Sequence, residues 1–164
     1  IMPACDEAGI DMAIHPDDPP WDMFGLPRII VNEESYDKLF SAVPNVHNGI
    51  TFCTGSLGAG RFNDLPKMAA KYCSRIYFAH IRQLRYEGEV DFAEAGHLTE
   101  AGDLDIYAIV KALVKNGFDG YVRPDHGRNI WGEEGKPGYG LYDRALGAAY
   151  LNGLFEAIEK SRRA

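Results

Sequence analysis

Four short apolar runs, separated by stretches with helical spacing, constrain this chain more than any other feature. The runs are residues 10–15 (IDMAIH), 48–53 (NGITFC), 75–82 (RIYFAHIR) and 120–124 (GYVRP). The intervening helices are predicted over about 33–43, from Asn63 or Asp64 to about 74, over 105–116, and from 141 to about 161. The clearest is 105–116, where Ile106, Ile109, Val110, Leu113 and Val114 fall on one face and Gly117 closes the element. The last carries Leu146, Tyr150, Leu154, Phe155 and Ile158 on one face. Short strands alternating with helices predict βαβ units and a parallel sheet.

Four such units are too few for a closed ring, and a barrel of eight needs about 250 residues. The expectation is therefore an α/β fold, the carboxyl-terminal half of a (β/α)8 TIM barrel. Residues 1–164 would form a single domain, with the amino-terminal half absent from this chain. The opening IMPACDEAGI agrees, since it reads as the end of a helix closing at Gly9. Between the main elements, Pro16, Pro19 and Pro20 end the first run, and an apolar stretch at 28–31 follows a loop. A hairpin is predicted around Glu87 and Gly88, a loop over 92–103, and a long glycine-rich loop up to Gly140.

A net charge of −7 and a pI near 5.2 exclude a basic stripe for nucleic acid. No apolar run approaches the roughly 20 residues that span a bilayer, and no signal-peptide pattern is visible. Cys5, Cys53 and Cys73 cannot all pair and read as reduced thiols in a cytoplasm.

The predicted strands end in His15, Cys53, His80 and Asp125, each a residue type that binds transition metals. In a parallel barrel the carboxyl ends of the strands converge on one mouth, so residues scattered in sequence meet there. Each alone has an ordinary structural reading: a strand cysteine is a small core hydrophobe, a histidine bonds a carbonyl, an aspartate caps a turn. Four strand ends sharing the pattern point instead to one site for a divalent first-row ion such as Mn²⁺, Fe²⁺ or Zn²⁺. Cys5 and Cys73 lie on predicted helix segments and stay structural.

His126 follows Asp125 directly, and its ring suits proton transfer near neutrality or a hydrogen bond behind the ligands. Tyr139 and Tyr142, in PGYGLYDRALG, offer phenols; Tyr139 reads equally as part of a closing lid or as a surface aromatic. Arg82, Arg123 and Arg128 are candidates to clamp a substrate carboxylate. GSLGAG (55–60) lacks the lysine of a P-loop and is expected to be a tight turn. His47 and His97 are expected to be solvated in polar turns, and Asp17, Asp18, Glu133 and Glu134 to be exposed loop charge.

The segments MAIHPDDPPW, ITFCTGSLGAG, YFAHIR, YVRPDHGR and PGYGLYDRALGAAYLNGL resemble the carboxyl-terminal portion of the D-mannonate dehydratase family, xylose-isomerase-like TIM barrel enzymes. HPDDPPW and RPDHGR are its specific motifs here. The resemblance implies loss of water from D-mannonate to give 2-dehydro-3-deoxy-D-gluconate, in hexuronate (glucuronate) breakdown. It further implies one Mn²⁺ or Fe²⁺ held by His15, Cys53, His80 and Asp125, with acid–base roles for His126 and Tyr139. A substrate-contacting set of Arg82, Arg123, Arg128 and Tyr142 completes the expected site. The family carries an amino-terminal half that this chain lacks, so pairing is expected, with that half or with a second copy. Two other readings stand beside it: a sugar isomerase of the same barrel type, or a half barrel that binds a metal or a partner and turns nothing over. Isomerases of that type tend to use several carboxylate ligands, and only one strand here ends in a carboxylate.

Overall fold

The computed structural model describes residues 1–163. Its elements run α1 (Met2–Ala8), β1 (Met12–Ile14), α2 (Glu33–Ala42), β2 (Asn48–Cys53), α3 (Thr54–Ala59) and α4 (Leu65–Lys71). They continue with β3 (Ile76–His80), β4 (Leu84–Tyr86), β5 (Phe92–Glu94), α5 (Ile106–Lys115), β6 (Tyr121–Arg123) and α6 (Leu141–Arg163). Strands β1, β2, β3 and β6 form one parallel sheet in that order, and β4 pairs antiparallel with β5. The parallel-strand α/β architecture predicted from the alternation is the one observed.

Local chemistry sets the helix starts. Asn32 accepts from the Ser35 N–H at 2.9 Å while Ser35 Oγ accepts from the Asn32 N–H at 3.0 Å, a reciprocal cap. Asp64 and Asp105 cap α4 and α5 through the Lys67 and Ala108 amides. Each such cap is worth about 1 kcal/mol. Helix α5 buries the five apolar residues its spacing predicts, each contributing about 2 kcal/mol. They join Ile50, Phe52, Leu57, Met68 and Ile76 in a core between the sheet and its helices.

Several expectations are corrected. The run at 28–31 is neither strand nor helix: the Asp17 carboxylate accepts the Ile29 and Ile30 N–H groups at 2.9 and 2.8 Å, so Asp17 is structural rather than a solvated charge. GSLGAG is not a tight turn but most of α3, all six residues of which are buried. Residues 92–94 are strand rather than loop, because they close the hairpin with β4. On α6, Tyr150, Leu154, Phe155 and Ile158 pack on the core as their spacing predicts, while Leu146 is exposed and Leu151 is buried in addition. Glu133 is not free loop charge, as its Oε1 accepts the Leu141 N–H at 2.7 Å and starts α6.

In this chain β1 and β6 are the sheet edges, and Tyr121 on β6 is 82 % exposed. Among the described residues no helix is long and apolar enough to cross a membrane.

Candidate metal centre and active site

Parallel register puts the four strand ends on one side of the sheet. Cys53 is level with His80, and His80 with Arg123. His15 follows β1 directly, and Asp125 follows β6 after Pro124. One donor atom each of His15, Cys53 and His80 lie within 4.8 Å of one another. Asp125 closes the group, accepting from Cys53 Sγ at 3.5 Å through Oδ2 and lying 3.3 Å from His80 Nδ1 through Oδ1. All four predicted ligands are therefore together. Asp125 reaches in from a left-handed backbone conformation, φ 63°, which aspartate tolerates better than most residues.

The donor chemistry fits a dication. His15 Nδ1 lies 2.7 Å from the Pro16 carbonyl, so this nitrogen carries the hydrogen and Nε2 keeps its lone pair. Both ring nitrogens of His80 are buried without a hydrogen-bond partner, since the Asp125 contact is close but misaligned. Buried polar atoms are rarely left so unless something else binds them. Burial pushes the His80 imidazole down to about 4, against the pull of Asp125, so it is neutral and able to coordinate. Burial, reinforced by Asp125, pushes the Cys53 thiol up to about 12. Pulling the other way, Ser56 donates to Sγ from its hydroxyl at 3.1 Å and from its amide at 3.5 Å, because Cys53 caps α3. Burial would raise Asp125, yet the Arg123 hydrogen bond and the nearby histidines hold it below the usual carboxylate range.

His126 stands beside this group, its Nε2 3.8 Å from Asp125 Oδ2 and its Nδ1 2.7 Å from Glu94 Oε1. Gly127 then binds the loop that carries Tyr139: its N–H donates to the Gly138 carbonyl and its carbonyl accepts from Gly140, at 3.0 and 2.9 Å. A Cβ on Gly127 would sit 2.3 Å from the Gly140 oxygen, so only glycine permits this crossing. The Tyr139 ring is exposed, between Lys136 and Arg144, and the Tyr142 ring meets Trp131 at a tilt, with centroids 5.8 Å apart.

All three candidate clamp arginines already pair within the chain. Arg123 Nη2 donates to Asp125 at 2.7 Å. Arg82 is buried between Asp18 (2.6 Å) and Glu94 (2.6 Å). Arg128 holds Asp143 through its backbone N–H, Nε and Nη2 at 2.8, 2.9 and 3.1 Å. Asp18 is thus a partner of Arg82 rather than solvated charge. His97 is largely withdrawn from solvent, its side chain 9% exposed and its Nε2 3.6 Å from Asp143 without a hydrogen-bond partner, and His47 pairs with Asp11 at 2.7 Å. Sequence reasoning missed Glu94, Asp143 and His97.

The whole chain, residues 1–164, matches the family model described as D-mannonate dehydratase (UxuA). It is 55% identical to a mannonate dehydratase of Lactococcus lactis subsp. cremoris over 99% of the chain and 47% of that protein. It is 56% identical to mannonate dehydratase 2 of Halalkalibacterium halodurans over 96% of the chain and 46% of that protein. The chain spans about half the length of the curated relatives it matches. Among solved structures, the mannonate dehydratase of Streptococcus suis serotype 2 superposes with a TM-score of 0.94 at 49% identity, over 99% of this chain and 47% of that one. A D-tagatose 3-epimerase-like protein superposes at 0.69 with 15% identity, over 100% of this chain and 53% of that one, a likeness of fold alone.

Proposed function

The chain belongs to the D-mannonate dehydratase family, and from that premise we propose that it contributes the metal site and acid–base groups for dehydration of D-mannonate to 2-dehydro-3-deoxy-D-gluconate. The observation that carries this reading is the meeting of His15, Cys53, His80 and Asp125 at one end of the sheet, with His126 beside them. In this reading residues 1–164 are one domain, the carboxyl-terminal half of a (β/α)8 barrel. The half-length match to the relatives supports it, and β1 and β6 are then the edges that pair with the amino-terminal half or a second copy. The reaction belongs to cytoplasmic hexuronate breakdown; three unpaired, buried cysteines suit a reducing compartment.

His15, Cys53, His80 and Asp125 would hold one Mn²⁺ or Fe²⁺. When bound, the cation offsets the negative charge that builds on the substrate carboxylate as C2 loses its proton. The chain's own groups do the rest. His126 and Tyr139 divide the proton transfers: one takes the C2 proton, the other protonates the C3 hydroxyl as it leaves as water, and the enol so formed becomes the 2-keto product. Arg123 and Arg128, about half exposed, keep donor surface for the substrate carboxylate, and Tyr142, exposed at the start of α6, offers a further contact. Arg82, enclosed by Asp18 and Glu94, holds Glu94 instead.

The test is a dehydration assay with D-mannonate and Mn²⁺ that follows the 2-keto-3-deoxy product. Product from the wild type, lost in His126→Ala, supports the reading. Metal bound through Cys53 without product, even when the amino-terminal half is supplied, rejects it.

A further inference from the structure

We propose that Glu94 is the positioning residue for His126: it fixes the imidazole in the tautomer with hydrogen on Nδ1 and the lone pair on Nε2, facing the strand-end cluster. The catalytic consequence rests on the reading of His126 as an acid–base group; the structural assignment does not.

The geometry leaves Glu94 little freedom. Hairpin pairing places it opposite Leu84, which is fully buried. Phe92, on the same strand face, packs edge-on against Trp21 and lies under the Arg82 guanidinium. Arg82 then grips the carboxylate, with Nε 2.9 Å and Nη2 2.6 Å from Oε1, while Asp18 holds its Nη1 at 2.6 Å. Gly55 makes room for this arginine: a Cβ there would meet Arg82 Cδ at 2.2 Å. The chain Asp18–Arg82–Glu94 thus ends in one carboxylate oxygen 2.7 Å from His126 Nδ1.

A carboxylate that accepts from a guanidinium is ionised and has no hydrogen to give. Burial would raise Glu94, but the His126 and Arg82 hydrogen bonds hold it below the ordinary range. At 2.7 Å an unprotonated Nδ1 would set lone pair against lone pair, so Nδ1 carries the hydrogen. The neutral ring's acceptor is then Nε2, the nitrogen on the side of Asp125. A carboxylate that fixes an imidazole this way sets which ring atom meets the substrate.

Ring-nitrogen NMR on isotope-labelled histidine tests this directly, recorded with and without Zn²⁺ as a diamagnetic ion. The His126 signal is assigned by its loss in His126→Gln. The wild type is expected to show hydrogen on Nδ1 alone. Glu94→Gln keeps an acceptor for Arg82 but adds an amide donor, so the other tautomer becomes populated. Glu94→Asp withdraws the carboxylate while keeping its charge and serves if the glutamine variant does not fold. A wild-type ring with hydrogen on Nε2, or a wild-type tautomer unchanged in both variants, overturns the proposal. With the dehydration assay running, Glu94→Gln is expected to lower kcat about a hundredfold, the low end of what a positioned acid–base group contributes, with KM little changed. A fixed tautomer in a protein that forms no product would sink the dehydratase reading and leave the role of Glu94 intact.

Discussion

The molecule holds two buried aspartates, Asp125 and Asp143, each facing a histidine and an arginine, and their surroundings are satisfied to different degrees. Asp143 receives three hydrogen bonds from Arg128. Asp125 receives one from Arg123, touches the Cys53 thiol, and faces a His80 ring whose two nitrogens bond nothing. The residue types are nearly the same; the satisfaction is not, since His80 leaves both ring nitrogens without a partner and His97 leaves one, Nε2. A saturated buried ion pair is a strut, joining the β6–α6 loop to the start of α6. An unsaturated one gathered with a thiol and a second imidazole is a place where something binds. Residue composition does not separate the two, whereas the count of unmet donors and acceptors does.

The difference breaks most sharply on metal affinity. Cys53→Ser and Asp125→Asn are each expected to weaken Mn²⁺ or Zn²⁺ binding more than the ~10–100-fold that groups behind the ligands cost. Asp143→Asn, measured by the same calorimetric titration, should leave affinity nearly unchanged. If Asp143→Asn weakens binding as much as Asp125→Asn, the two clusters are one site and the contrast fails.

Stability should show the reverse order. Asp143→Asn leaves the Arg128 guanidinium short of its partner. Breaking a buried pair costs about 3–5 kcal/mol, and because Arg128 is 42% exposed the expected loss is about 2 kcal/mol by denaturant unfolding. Asp125→Asn in the metal-free protein should cost less, since it breaks one arginine hydrogen bond where Asp143→Asn breaks three.

Next in size is Ser56→Ala, which removes the hydroxyl donated to Cys53 Sγ at 3.1 Å. Without that donor the thiolate is harder to form, and metal affinity should fall about tenfold, the lower end for a partner behind a ligand. An unchanged affinity would mean that the α3 amide alone supports the sulfur.

How much of this could be read from the sequence follows from range. The meeting of His15, Cys53, His80 and Asp125 was legible because each lies at the end of a strand, and parallel strands bring their ends together whatever separates them in sequence. Helix α5 was legible because its period and its Asp105 cap are local. Helix α3 was not: Gly55 and Gly58 each oppose helix by about 1 kcal/mol. What requires them is tertiary, since a Cβ would strike Arg82 at one position and Leu104 at the other. Glu94 was hidden because a three-residue strand shows too little alternation to identify a face. Asp143 and His97 meet across 46 positions, and nothing local marks either as the other's partner.

The smallest expected effect is a pH dependence, and it separates the members of the Asp143 cluster. Burial, against the pull of Asp143, lowers His97 from its ordinary value, and Asp143 is lowered because the Arg128 hydrogen bonds outweigh burial. Both folded values lie below the unfolded ones, so both contributions are complete at neutral pH and are lost on acidification. The His97 step begins as pH falls below about 6.5, where the unfolded imidazole takes up a proton that the folded one resists. The Asp143 step begins near pH 4 and is spent once the folded carboxylate is also protonated. Unfolding free energy against pH should therefore lose its upper step in His97→Gln and its lower step in Asp143→Asn. The second variant should also deepen the upper step, because it removes the negative charge that eases protonation of His97 in the fold. A profile of Asp143→Asn parallel to the wild type through both ranges would show that the aspartate holds Arg128 by geometry alone, with no net electrostatic contribution to the strut.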